Sequence, residues 1–309
     1  MKNIIAGGAG FIGSSLIRKL LNSGEKVICL DNFITGKKSN ITHLLSNPNF
    51  ELIEHDITIP IDLEADRIWH LACPASPKHY QRRPLNTSIT SFNGTLNLLN
   101  IAKNNNAKLL FASSSEVYGN PEKHPQKEDY FGNVNPISKR ACYEEGKRIS
   151  ETLCYDFYRE YKTDICIARI FNTYGPWMVQ DDGRVVSNFI LQALKEDFIT
   201  INGDGKQTRS FCYIDDLVSG LIKLMNSDYI NPLNLGNDEE ITIIELGNLI
   251  KKKINSKIIF KQLTLPEDDP LRRKPNIELA KSVLNWEPKV TLFDGLDKTI
   301  AYFKQINLN

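Results

Sequence analysis

The sequence predicts an α/β fold, a doubly wound parallel sheet followed by a smaller C-terminal α/β unit. Three observations carry this. Short apolar runs alternate with amphipathic stretches through the first half of the chain, the pattern of strand–helix–strand units. The runs NIIA, KVICL, KLLFA and DICIA are continuously apolar, as expected of strands covered on both faces. Three glycines, at positions 7, 10 and 13, punctuate the junction between the first apolar run and the first amphipathic one.

Taken in order, strands are expected at 2–6, 26–30, 50–54, 67–72, 107–113 and 164–169. Helices fall between several of them, at 11–23, 86–105 and 138–161. The texture changes after about residue 172. Beyond it, helices are expected at 185–196, 214–227, 242–253 and 292–304, with short strands near 199–201, 232–235 and 257–261. Residues 1–172 are therefore read as one domain with a return segment near 213–237, and residues 173–309 as a second.

The chain has 309 residues, enough to bury a core without disulfides or metals. Lys+Arg is 38 and Asp+Glu is 37, so nothing in the charge favours a nucleic-acid or membrane surface. The six cysteines form no C-x-x-C pair and no zinc spacing, so free thiols and no metal are expected. The N-terminus enters the first strand at once, and no apolar run approaches the ~18 residues of a membrane span. A soluble, cytoplasmic protein is expected.

Gly7, Gly10 and Gly13 form G-x-x-G-x-x-G directly after a strand, with Phe11 and Ile12 opening the helix that follows. In that setting the backbone can approach a pyrophosphate, and the helix N-terminus supplies N–H donors and a positive dipole end. Asp31 ends the second strand, 18 residues after Gly13. A carboxylate there accepts from ribose hydroxyls and repels a 2′-phosphate, so the dinucleotide is expected to be NAD and the fold Rossmann-type. Asp56, just after the third strand, is either an adenine contact or a strand-end cap.

Tyr143 and Lys147 form Y-x-x-x-K, and a spacing of four places both on one helix face. A lysine ammonium, together with a positively charged nicotinamide, favours the phenolate of a tyrosine whose ordinary pKa is about 10. Such a pair removes the proton of a substrate alcohol as hydride leaves. The segment SSSEVYG (113–119) lies at the carboxyl end of the fifth strand, where open parallel sheets place ligands.

With Gly7, Gly10, Gly13, Ser114, Tyr143 and Lys147 in place, the chain resembles the extended short-chain dehydrogenase/reductases that act on nucleotide sugars. Longer stretches narrow the resemblance to the UDP-glucuronate decarboxylase subfamily. They are HLACPASPKHYQ (70–81), SSSEVYGNPEKHPQKE (113–128), CYEEGKR (142–148), ARIFNTYGP (168–176), DGRVVSNFILQAL (182–194), GDGKQTRSFCYIDDLV (203–218), NLGN (234–237) and DDPLRRKPNI (268–277).

The resemblance implies that Ser114 steadies the substrate alcohol and that Ser115 and Glu116 lie near the sugar carboxylate. Arg209 would serve protonation of the ring carbon or the diphosphate. Asn172 and Arg273 would contact nucleotide phosphates. Related 4,6-dehydratases carry an Asp–Glu pair at 115–116; this chain has Ser115, which favours decarboxylation. It departs from the subfamily pattern at Arg83, Ser91 and Trp177. A nucleotide-sugar 4-epimerase or 4,6-dehydratase, and a non-catalytic NAD sensor or scaffold, are the alternatives. A UDP-sugar substrate and a homodimer are expected, the dimer built on the helices at 86–105 and 138–161. Leu96, Leu99, Ile149 and Leu153 are the candidates there for core or interface.

Overall fold

The computed structural model describes residues 1–180, 183–196, 198–264 and 270–307. Its centre is a seven-stranded parallel sheet. Six strands are β1 (Lys2–Ala6), β2 (Lys26–Asp31), β3 (Phe50–Glu54), β4 (Arg67–His70), β5 (Lys108–Ser114) and β6 (Ile165–Ile170), and the seventh is Pro232–Leu235. The order runs β3-β2-β1-β4-β5-β6 and then 232–235, which lies parallel to β6 with Leu233 beside Ala168.

Successive side chains on a strand point to opposite faces, and the core divides accordingly. Ile5, Cys29, Trp69, Leu110 and Cys166 pack with Leu16, Ile17, Leu217 and Leu221, from the helices Phe11–Asn22 and Ile214–Met225. Ile4, Ile28, Ile68, Leu109 and Ile167 pack with Leu98, Leu99, Cys154 and Phe157, from the helices Thr95–Asn105 and Ala141–Tyr161. Both faces are thus buried, which is why these strands carry no polar alternation.

The chain reverses direction across the sheet between β1 and β4, so the loops after these strands diverge and leave a crevice. They part from a point of close contact: a Cβ on Gly7 would lie 2.8 Å from the backbone of Leu71 and Ala72. Gly7 also has φ +81°, so glycine is required on both counts.

Several boundaries differ from expectation. The stretch 86–105 is helical throughout and starts at Pro84, but a π turn at Thr90–Gly94 separates its α-helical parts Pro84–Ile89 and Thr95–Asn105. Gly94 packs onto Ile57, where a Cβ would meet the Ile57 side chain at 2.4 Å. The helix expected from 138 starts at Ala141, because Ser138 Oγ accepts from the Arg140 N–H at 3.2 Å and holds a turn first. β4 ends at His70, where the chain turns past Gly7.

In the second half, helices Val185–Leu194, Ile243–Ile254 and Leu292–Asn307 lie where the periodicity places them. Thr242 and Glu245 form a reciprocal cap on the second. The strand expected at 257–261 is Phe260–Leu263, and a helix at Glu278–Leu284 was not expected. Small sheets of two or three strands join 208–210 to 240–242 and 272–273, 199–202 to 260–263, and 173–174 to 212–213. Among the described residues no helix is long and apolar enough to cross a membrane. All six cysteines are free thiols, with Cys73 and Cys142 half-buried and the rest buried.

Candidate active site

A cleft of about 700 Å³ opens above the strand ends, between the glycine turn and the second half of the chain. On one side it is lined by Gly7, Gly10, Phe11, Ile12, Gly13 and Asp31. The turn fits a dinucleotide. A Cβ on Gly13 would sit 2.2 Å from Gly7 O, so the helix must meet the turn without a side chain there. At Gly10 a Cβ would meet only Gly7 O, at 3.1 Å, and the remaining space faces the cleft.

Asp31 is buried, and each of its oxygens accepts one backbone N–H at 2.9 Å, from Ala9 and Phe33. Burial pushes its carboxyl up, against the pull of those two donors. Each oxygen keeps a lone pair for a ribose hydroxyl. Asp56 is engaged elsewhere: it accepts from Thr58 N, Thr58 Oγ1 and Asn32 Nδ2 at 2.8–3.0 Å. The neighbours His55 and Ile57, rather than Asp56, line the cleft.

Across the cleft, β5 delivers Ser113 and Ser114 to its floor, and the helix Ala141–Tyr161 lays Tyr143 and Lys147 alongside. Ser114 Oγ accepts the Glu116 N–H at 3.2 Å and lies on the Tyr143 side of the cleft, where its hydroxyl favours the ionised phenol. Lys147 is buried, with its Nζ donating to Ala112 O at 2.7 Å and lying 5.6 Å from the Tyr143 ring. Burial raises the Tyr143 phenol well above its ordinary value, and it lowers Lys147. In the protein alone, therefore, the lysine does not offset burial, and the phenol stays protonated. The phenolate needs the further positive charge of the cofactor ring. Tyr80 stacks flat on Tyr143, ring centroids 5.1 Å apart and planes 4° apart, which fixes the ring.

Beside this group lies an ionic cluster. The Glu116 side chain is 16% exposed and is gripped from two sides, by Arg273 and by Arg140 NH2 at 2.5 Å. Burial opposes the Glu116 charge, but the Arg273 and Arg140 guanidiniums outweigh it and hold the carboxyl at about 2. Arg140 also donates through Nε to Glu144 at 3.1 Å. Arg273 NH2 donates to Gly119 O at 3.0 Å.

Ser115 is buried next to Glu116, with no second acid at its position. Arg209 lines the cleft, but its guanidinium is held by backbone, donating to Thr208 O at 2.8 Å; its charge reaches Glu116 only at longer range. Asn172 lines the cleft as well.

Arg140, Glu144 and Tyr80 were not among the residues the sequence singled out. Glu144 and Tyr80 lie inside the stretches 142–148 and 70–81, which gave the signal for them, and Arg140 precedes the helix three residues before Tyr143. Of the departures from pattern, Ser91 is buried and bonds back to Thr87 O at 2.9 Å, and Arg83 is an exposed helix start. Trp177 stacks on His43, with the Arg18 guanidinium 4.4 Å from its ring centre. Asp182, Asp268 and Asp269, from the motif stretches at 182–194 and 268–277, lie outside the described residues.

Known proteins resemble this chain along nearly its whole length. The family described as GDP-mannose 4,6 dehydratase matches residues 4–299. The chain is 52% identical to UDP-glucuronic acid decarboxylase 1 of Arabidopsis thaliana, over 100% of this chain and 71% of that protein. It is 53% identical to UDP-glucuronic acid decarboxylase 1 of Danio rerio, over 98% and 72%. Among solved structures, a UDP-glucuronic acid 4-epimerase from Bacillus cereus, in complex with UDP-glucuronic acid and NAD, superposes with a TM-score of 0.90. Identity is 30%, covering 99% of this chain and 100% of that one.

Proposed function

The chain belongs to the extended short-chain dehydrogenase/reductase family of NAD-dependent nucleotide-sugar epimerases and dehydratases, and from that premise we propose that it converts UDP-glucuronate to UDP-xylose and CO₂. The observation that carries this is Glu116. It is an ionised carboxylate clamped by two arginines, two residues from Ser114, with a hydroxyl and not an acid at 115. A 4,6-elimination needs an acid to protonate the leaving 6-hydroxyl, and Glu116 held at about 2 carries no proton at neutral pH.

Gly7, Gly10, Phe11, Ile12 and Gly13 would receive the dinucleotide, and Asp31 its adenosine ribose; Asp56 would support that end through Asn32. When bound, NAD would supply the hydride acceptor and donor for the sugar's C4. The protein's own work is proton transfer and charge placement. Tyr143 accepts the C4 hydroxyl proton, with Ser114 orienting that oxygen and Lys147 beside the ring. The resulting 4-keto sugar is a β-keto acid, so the bond from C5 to the carboxylate breaks with its electron pair held as an enolate. Ser115 and Glu116 orient the carboxylate for that cleavage. A proton then reaches C5, with Arg273 or Arg209 polarising its donor, and Tyr143 returns its proton to the C4 oxygen. Asn172, Arg209 and Arg273 serve the nucleotide diphosphate side.

The same proposal assigns residues 1–172, with the segment near 213–237, to NAD and residues 173–309 to the nucleotide sugar. It includes a homodimer and a cytoplasmic setting, the latter supported by the six free thiols. Incubation with UDP-glucuronate and catalytic NAD tests it, with products read by mass spectrometry and NMR. UDP-xylose and CO₂ are expected. UDP-galacturonate, or a 4-keto-6-deoxy sugar from UDP-glucose, in place of UDP-xylose would overturn it in favour of epimerisation or dehydration.

A further inference from the structure

The ionic cluster beside the reacting sugar contains one more carboxylate than the reaction uses. Glu144 follows Tyr143 directly and is buried, 5% exposed. Its Oε1 accepts from Arg140 Nε at 3.1 Å, while the same guanidinium reaches Glu116 through NH2 at 2.5 Å. One arginine is therefore shared between two carboxylates, and Arg273 holds only one of them. Among the described residues, the groups that face Glu144 are Arg140 at the start of its helix and Cys142 within it, Glu116 on the turn 115–118, Arg273 on the strand 272–273 and Tyr80 on the helix 77–80.

Among the described contacts, the guanidiniums of Arg140 and Arg273 are matched by the carboxylates of Glu116 and Glu144, with the Arg209 charge acting at longer range. A third carboxylate brought beside it finds arginines already fully claimed. A proton on Glu144 would free the Nε side of Arg140 and give the cluster one net positive charge. Of the two acids, Glu144 is the one that accepts it: burial and the Glu116 charge raise its carboxyl to about 6, whereas Glu116 stays at about 2.

We propose that Glu144 is a positioning residue that makes binding of the sugar carboxylate proton-coupled: UDP-glucuronate enters with uptake of a proton by Glu144, which releases Arg140 toward the incoming carboxylate, while a nucleotide sugar with an uncharged sixth position enters without it. This rests on the decarboxylase reading and names the residue that selects an acidic sugar at that site. The bound carboxylate raises Glu144 further, so affinity for UDP-glucuronate rises as pH falls between the bound and free values. A rise of about one unit corresponds to a ~10-fold change in affinity.

The test is calorimetry on the NAD-loaded Tyr143→Phe protein, which cannot turn over, in buffers of different ionisation enthalpy from pH 5.5 to 8. UDP-glucuronate and UDP-glucose are the ligands. Expected is uptake of a fraction of a proton with UDP-glucuronate near pH 6–7 and none with UDP-glucose. Adding Glu144→Gln should abolish the uptake and flatten the pH profile, and Glu144→Asp should restore both. Equal uptake with the two ligands, or uptake that survives Glu144→Gln, overturns the inference; so does pH-independent binding of UDP-glucuronate to a protein that decarboxylates it. If Glu144→Gln does not fold, the ligand comparison decides alone. Failure of the wild-type protein to bind or decarboxylate UDP-glucuronate refutes the underlying function instead.

Discussion

Replacing Glu116 by glutamine separates the two halves of the reaction and weighs the ionic cluster at the same time. The substitution keeps the shape and removes the charge. Its cost follows from the pairing. Arg273 and Arg140 hold the Glu116 carboxyl at about 2, against an ordinary 4.5, a difference of 2.5 units. At ~1.4 kcal/mol per unit, that is about 3 kcal/mol of stability at neutral pH. The folded value is depressed, so this stability is fully present above pH 4.5 and is lost as pH falls toward 2. Removing one partner of a buried ion pair costs about 3–5 kcal/mol, which agrees. Thermal melting should therefore fall by roughly 5 °C.

On the folded fraction, Ser114, Tyr143 and Lys147 are intact, so single-turnover NADH formation should stay within ~10-fold of wild type. CO₂ release should fall by at least ~10²-fold, the low end for a positioned charged group. With the Glu116 charge gone, Arg273 and Arg140 would stabilise the substrate carboxylate more strongly and so resist its conversion to neutral CO₂. A 4-keto sugar acid should accumulate and be visible by NMR. Unchanged melting would refute the ion-pair argument. An equal loss of both rates, or normal CO₂ release, would refute the separate role at C5.

Tyr143→Phe should lower turnover by at least ~10²-fold while leaving NAD binding intact by fluorescence titration; a near-normal rate removes Tyr143 from proton transfer. Calorimetry should show NAD bound more tightly than NADP, because the buried Asp31 would face the added phosphate, and equal affinities would misplace Asp31. Light scattering at low micromolar concentration should give twice the chain mass, and Ile89→Asp should shift it toward the monomer. A wild-type monomer defeats the dimer.

That dimer prediction uses a face that periodicity alone left undivided between core and interface. Of the four residues named as core or interface, Leu99 is fully buried in the core, and Leu96 and Leu153 pack partly against it, leaving Ile149 exposed at 39%. The exposed apolar surface on the neighbouring helix is Leu85, Ile89 and Phe92. The cause is the π turn at 90–94, which rotates the face that a continuous helix would present. Nothing in the apolar spacing announces it.

What was legible in the sequence was whatever a single turn or helix encodes by itself. The glycine turn, Asp31 at a strand end, and the Tyr143–Lys147 pair each depend on spacings of a few residues, and each lies at the cleft. The seven-stranded sheet was legible for a related reason: burial on two faces leaves an unbroken apolar run in the chain itself. The ionic cluster obeys no such local rule. Arg140 meets Glu116 across 24 residues and Arg273 meets it across 157, and no period in the sequence links them. Resemblance assigned Arg273 to the nucleotide phosphates and Arg209 to the ring carbon or the diphosphate, and named no partner for Glu116; the fold gives that place to Arg273, carried on a two-residue strand too short to leave a pattern. Chemistry that depends on sharing charge among buried groups is set by which strands the fold brings together. A sequence therefore shows the residue that moves the proton more readily than the residues that decide where the proton is held.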